Sequence, residues 1–89
     1  MKIKGTFVTR NIAGDIVIVP VGQTALEYNG MITTTASGAA IWEKLEEGAE
    51  NKETLIQTLL ERFDVDRETA EKDLEEFLEQ LKKGGFLEE

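Results

Sequence analysis

Histidine and cysteine are both missing from this 89-residue chain, and proline occurs once. Without cysteine there is no disulfide, no thiolate nucleophile and no soft metal ligand. Without histidine, the commonest general base of a serine hydrolase and the commonest zinc ligand are gone as well. No apolar run approaches the roughly 20 residues needed to cross a bilayer. The opening MKIKGTFVTR has lysines but no continuous apolar stretch behind them, so a secretory signal is not expected either. A cysteine-free chain of this kind fits a reducing cytoplasm, where the protein is expected to reside.

Charge is abundant but one-sided. The net charge is -8, and it is unevenly distributed. Residues 1 to 42 carry Lys2, Lys4 and Arg10 against Asp15 and Glu27, a balance of +1, whereas residues 43 to 89 carry seven basic and sixteen acidic groups, a balance of -9. Such a field repels phosphate backbones and argues against nucleic-acid binding. Most of these charges suit the solvated face of helices that keeps a small domain soluble.

A single domain spanning residues 1–89 is expected from the length. The first third is β-like. TFVTRNI, Thr6 to Ile12, is rich in β-branched residues, Gly14 and Asp15 offer a turn, and IVIVPV, Ile16 to Val21, is almost wholly apolar. These two strands form a hairpin, with Pro20 marking a strand end or an edge because it cannot donate a ladder hydrogen bond. Asn29-Gly30 is the strongest turn signal, and a third strand over Met31 to Thr34 follows it; Ala25 to Tyr28 read equally as a paired segment or as loop.

From residue 36 the hydrophobic period changes from two to 3.6. Thr35 or Ser37 caps a first helix whose apolar side holds Ala39, Ala40, Ile41, Trp42 and Leu45, and Gly48 ends it. Asn51 caps a second with Leu55, Ile56, Leu59, Leu60 and Phe63 inward. Asp66 caps a third, with Val65 stapled to Ala70 and a stripe of Ala70, Leu74, Phe77, Leu78 and Leu81. Lys82, Lys83, Gly84 and Gly85 close it, and Phe86 and Leu87 fold back onto the core. The fold class is α+β, winged-helix-like: a three-stranded antiparallel sheet followed by a three-helix bundle.

A search for chemistry returns little. The carboxylates Asp64, Asp66, Asp73, Glu75 and Glu76 lack the alternating ligands and central glycine of a calcium loop. Ser37-Gly38 is not a nucleophile elbow, which needs glycine on both flanks and a histidine to act as base. The glycines form neither GxGxxG nor a Walker motif. Trp42, among Ile41 and Leu45, reads as core rather than as a ligand platform. No catalytic residue, metal site or cofactor is expected, and the chain is not read as an enzyme. What remains is the third strand, whose edge carries neither charge nor proline to blunt it. Beside a helix, such an edge accepts a visiting strand by β-augmentation.

Taken in order, NIAGDIVIVPVG, NGMITTTASGAAIWEKLEEG and FDVDRETAEKDLEEFLEQLKKGGFLEE resemble the PqqD family over about Phe7 to Leu87. The most specific parts are GAAIWEKL after a short strand, and the DVD start and Gly-Phe-Leu end of the last helix. The resemblance implies a peptide chaperone, a recognition element for ribosomally synthesised, post-translationally modified peptides. Such a protein holds the leader of a precursor peptide as an added strand between the third strand and the last helix. It presents that leader to a maturation enzyme, often a radical S-adenosylmethionine protein. Carried over, the peptide-binding candidates are the backbone of Met31, Ile32, Thr33 and Thr34, with Thr69, Lys72, Asp73, Phe77 and Gln80 flanking from the last helix. Alternation pairs Ile32 with Thr34 on one face and Met31 with Thr33 on the other, leaving open which face meets the helix. The pattern departs at Thr34-Thr35, where members often have leucine followed by asparagine. The acidic helical half hints at a leader with basic residues. The alternatives are a winged-helix nucleic-acid-binding domain, and a structural or oligomerisation domain in which the edge pairs with its own copy; a monomer is expected, with no membrane partner.

Overall fold

The computed structural model describes residues 1–28 and 30–88. Its elements run β1 (Lys2–Ile3), β2 (Phe7–Ile12), β3 (Asp15–Pro20), α1 (Gln23–Glu27), β4 (Ile32–Thr34), α2 (Ala36–Glu47), α3 (Lys52–Arg62), α4 (Arg67–Gly84) and β5 (Leu87–Glu88). The fold is α+β, with an antiparallel three-stranded sheet in the order β2-β3-β4 and the three long helices packed on it.

The β2–β3 hairpin turns at Ala13 and Gly14, both with positive φ, the signature of a two-residue type I′ turn whose twist matches that of the strands. Ile12 and Asp15 close this turn, and the register then runs through Arg10↔Val17 to Phe7↔Pro20. Hydrogen-bonded and open pairs alternate along an antiparallel ladder. Counting from the turn, Phe7↔Pro20 falls on an open pair, which is the position a residue with no N–H tolerates.

The helix starts follow the expected caps. Thr35 Oγ1 accepts from the Gly38 N–H at 3.3 Å, Asn51 Oδ1 from Thr54 at 3.0 Å and Asp66 Oδ1 from Thr69 at 2.8 Å. Gly85 ends α4 in the left-handed conformation, which a residue lacking Cβ adopts without steric cost. The core joins Ile18 and Ile32 of the sheet to Trp42, Leu45, Leu55, Leu59, Leu74, Leu78 and Leu81 of the helices. Trp42 is buried as expected, with Phe7 packed edge-on at a centroid distance of 5.1 Å.

Two features differ from the sequence expectation. The ambiguous stretch before the Asn-Gly turn is the one-turn helix α1, and its side chains explain why: Thr24 is buried and its Oγ1 accepts from the Thr6 N–H at 2.8 Å, while Tyr28 one turn on donates to the Gly85 carbonyl at 3.1 Å. The chain ends also add a second sheet, in which β1 pairs with β5 through Lys2↔Glu88 and Ile3↔Leu87. Phe86 and Leu87 do pack against the core. Of the expected turn dipeptide, Asn29 lies outside the described residues.

Helices α3 and α4 are tied at the surface by Arg67, which binds Glu53 at 3.0 Å and Glu71 at 2.9 Å. The Arg67 guanidinium, joined by the Gln57 amide, holds the Glu53 carboxyl down to about 2, and the Thr69 N–H lowers that of Asp66. Because these folded-state values lie below those of the unfolded chain, the stabilisation is present above about pH 4.5 and is lost as pH falls toward 2. The effect is small, since the ion pair is half exposed. In urea unfolding, Glu53→Gln is expected to lower the midpoint at pH 7, and its difference from wild type to close as the pH approaches 2.

Candidate functional site: the cleft between β4 and α4

Among the described residues, strand β4 pairs on one side only, with β3, through Ile16↔Thr34, Val17↔Thr33 and Ile18↔Ile32. The alternation set by the hairpin decides which groups are spent in that pairing. If Asp15 and Val17 bond toward β2, then Ile16 and Ile18 bond toward β4. Ile32 and Thr34 therefore direct their N–H and C=O groups inward to β3. Those of Thr33, and of Met31 preceding the strand, point to the open edge.

The side chains divide the same way. Ile32 is buried and Thr34 half-buried, whereas Met31 and Thr33 are exposed. The face left open by the sequence is thus resolved: Ile32 and Thr34 look toward the helices. Thr34 sits directly over Gly38 in the first turn of α2, so closely that a Cβ at residue 38 would overlap its Oγ1. The absent side chain lets strand and helix meet at the floor of the cleft.

The cleft beside this edge has a volume of about 410 Å³. Thr33, Thr34, Thr35, Ser37, Gly38 and Ile41 form one side, and Asp73, Glu76, Phe77 and Gln80 of α4 form the other. These four helical residues are spaced i, i+3, i+4 and i+7, one stripe of the helix. Phe77 is buried and serves both core and cleft. Asp73 is half-buried, and Glu76 and Gln80 are exposed.

Of the residues named from the sequence, Thr33, Thr34, Asp73, Phe77 and Gln80 come together here. Met31 and Ile32 line an adjoining depression of about 290 Å³, which Gln80 shares. Thr69 and Lys72 line neither. Thr69 lies in the first turn of α4 with its N–H given to the cap, and Lys72 is exposed. Thr35, Ser37, Gly38, Ile41 and Glu76 were not in the sequence-derived set. Glu76 was within reach of the helical stripe argument; Gly38 was not, because its role depends on which strand lies above it. Among the described residues no group of acidic side chains converges as a metal would require, and no helix is long and apolar enough to cross a membrane.

A family model described as Coenzyme PQQ synthesis protein D (PqqD) matches residues 16–87. The chain belongs to the PqqD family. Among solved structures, this PqqD-family chain is similar to TbiB1 in complex with the TbiA(beta) leader peptide. The identity is 31% and the TM-score 0.71, over 99% of this chain and 95% of that one. No curated protein sequence shows significant similarity to it.

The floor of the cleft yields a direct prediction. Gly38→Ala should destabilise the protein by about 1 to 3 kcal/mol, the usual range for overpacking, read from urea unfolding. Its largest amide shifts should fall at Thr33 to Thr35 rather than in α3.

Proposed function

We propose that this PqqD-family protein is a non-catalytic peptide chaperone that binds the leader segment of a ribosomally made precursor by strand addition to β4. It then presents the leader to a maturation enzyme, of which a radical S-adenosylmethionine protein is the expected type. The observation that carries this reading is the open edge of β4 at Met31 and Thr33, lying beside the cleft walled by α4. Family membership supports it, as does the similarity to a protein solved with a leader peptide on it. The cytoplasm, where such precursors are made, is the expected location.

An added strand beside β4 would alternate as β4 does. Its residues opposite Ile32 and Thr34 would point into the cleft, and the intervening ones into solvent. Four main-chain hydrogen bonds are worth about 1 kcal/mol each, and two or three apolar anchors about 1.5 to 3 kcal/mol each. After an association cost of about 4 kcal/mol or more, roughly 9 kcal/mol at most remains, which corresponds to micromolar rather than picomolar affinity. Leu87 and Glu88, which could have covered the edge, pair with β1 instead.

Helix α4 would be the recognition helix of a DNA-binding reading. Asp66 to Leu81 carries Arg67 and Lys72 against seven acids, a balance that repels a phosphate backbone.

The test uses the leader of the short precursor encoded nearest this protein's own gene. Adding it should shift the amide signals of Met31 to Thr34 and protect the Thr33 N–H from exchange. Thr33→Pro, which removes an outward-facing donor without taking one from the ladder to β3, should lower affinity at least tenfold while the helical circular dichroism persists. Unchanged binding by Thr33→Pro would overturn strand addition at β4.

A further inference from the structure

The cleft is the middle of three compartments in series along α4. Toward Gly84 lies the depression lined by Tyr28, Met31, Ile32 and Phe86. Toward Ala70 lies another, of about 250 Å³, lined by Leu59, Phe63, Val65 and Ala70 and sharing Thr35, Ser37 and Asp73 with the middle one. From Ala70 to Gly84 the helix rises about 21 Å at roughly 1.5 Å per residue. An extended peptide at about 3.3 Å per residue covers that length with about six residues.

The two outer compartments are mainly apolar beyond the residues they share with the middle one, which is more polar. It offers the hydroxyls of Thr34 and Ser37 and the carboxylates of Asp73 and Glu76. Elsewhere on α4 the acids are matched: Glu71 with Arg67, Glu75 with Lys52 and Glu79 with Lys83. Glu68 stands in the first turn, where the helix dipole favours it. Asp73 and Glu76 face the cleft with no cation in ion-pair distance among the described residues. Asp73 is moreover half-buried against the apolar wall of Phe77 and Ile41, where water screens a partner less than on an open surface.

We infer that the bound segment carries a lysine or arginine at the inward position opposite Thr34, with an apolar residue two positions away on either side. This rests on the strand-addition reading above and adds its side-chain code. The period of a strand delivers every second side chain to the cleft. The residue opposite Ile32 then enters the Tyr28 and Phe86 compartment, and the residue opposite Thr34 meets Asp73 and Glu76. The next inward residue, past the N-terminus of α2, reaches the Phe63 and Val65 compartment. An acidic residue at the central position would be repelled by both carboxylates, so the middle compartment selects by sign and the outer two by apolar area.

The code is tested with three synthetic peptides, acetylated and amidated to remove terminal charge: Ser-Thr-Leu-Thr-Lys-Thr-Leu-Thr-Ser and its analogues with norleucine or glutamate at the centre. Their side-chain pattern reads the same in both strand directions. Titration calorimetry should rank lysine above norleucine above glutamate. The lysine peptide should bind at least about fivefold tighter than the glutamate one at low ionic strength, a ratio that shrinks in about 1 M salt, where the screening length falls to about 3 Å. The lysine peptide should also shift the Thr33 amide. The double variant Asp73→Asn, Glu76→Gln should keep binding the norleucine peptide and lose the preference. Equal affinity for all three peptides, with the Thr33 shift intact, would refute the charge code and leave strand addition standing. Lysine-selective binding without that shift would refute both, since the cation would then sit off the cleft. Binding by none of the three refutes the code, and strand addition is judged separately by the leader and the Thr33→Pro variant.

Discussion

Among the described residues strand β4 is held along one side only, and everything proposed for this protein depends on that. Ile16 and Ile18 of β3 supply its partners, and Ile32 anchors it in the core at 6% exposure. The far side is left with the main-chain groups of Met31 and Thr33. An edge of three residues is too short to invite sheet-to-sheet aggregation, and its threonines are good strand formers that tolerate water. The same brevity limits what the backbone alone can contribute to binding, so specificity has to come from side chains in the cleft.

The wall opposite the edge is set by the core. Leu74, Leu78 and Leu81 are fully buried, and they fix the rotation of α4 so that Asp73, Glu76, Phe77 and Gln80 emerge along the cleft. Phe77 belongs to both layers. At the floor, Gly38 lets α2 approach Thr34, and Thr35 is at once the residue after the strand and the cap of the helix. Strand end, helix cap and cleft floor occupy the same few residues, which answers why the chain spends three threonines in succession there.

The long elements were legible because each buries one face and repeats its pattern over several turns or pleats. The β2–β3 hairpin, all three helix caps and the stripe from Ala70 to Leu81 stand close to where the pattern puts them. The helix α1 was not legible, since a single turn has no period to display and is held by contacts of Thr24 and Tyr28 with residues far along the chain. The β1–β5 pair was not legible either, because two-residue strands from opposite ends have no local signal of their partnership. On the site, Thr33, Thr34, Asp73, Phe77 and Gln80 line one cleft, whereas Thr69 and Lys72, named beside them from the sequence, stand outside its lining. Position along a helix is readable from sequence more readily than the rotation of its last exposed residues.

Composition and hydrophobic period by themselves determined that this chain is an α+β protein with no histidine or cysteine chemistry, an acidic helical half and a strand lacking the usual edge protection. Those are properties of residues and of their near neighbours, so one dimension carries them. Tertiary structure alone decided that β4 lies at the border of its sheet, that Ile32 and Thr34 rather than Met31 and Thr33 face the helices, and that the carboxylates of Asp73 and Glu76, with no cation in ion-pair distance among the described residues, stand across from them. Each of these is a relation between segments tens of residues apart, set by how the core closes over its buried leucines.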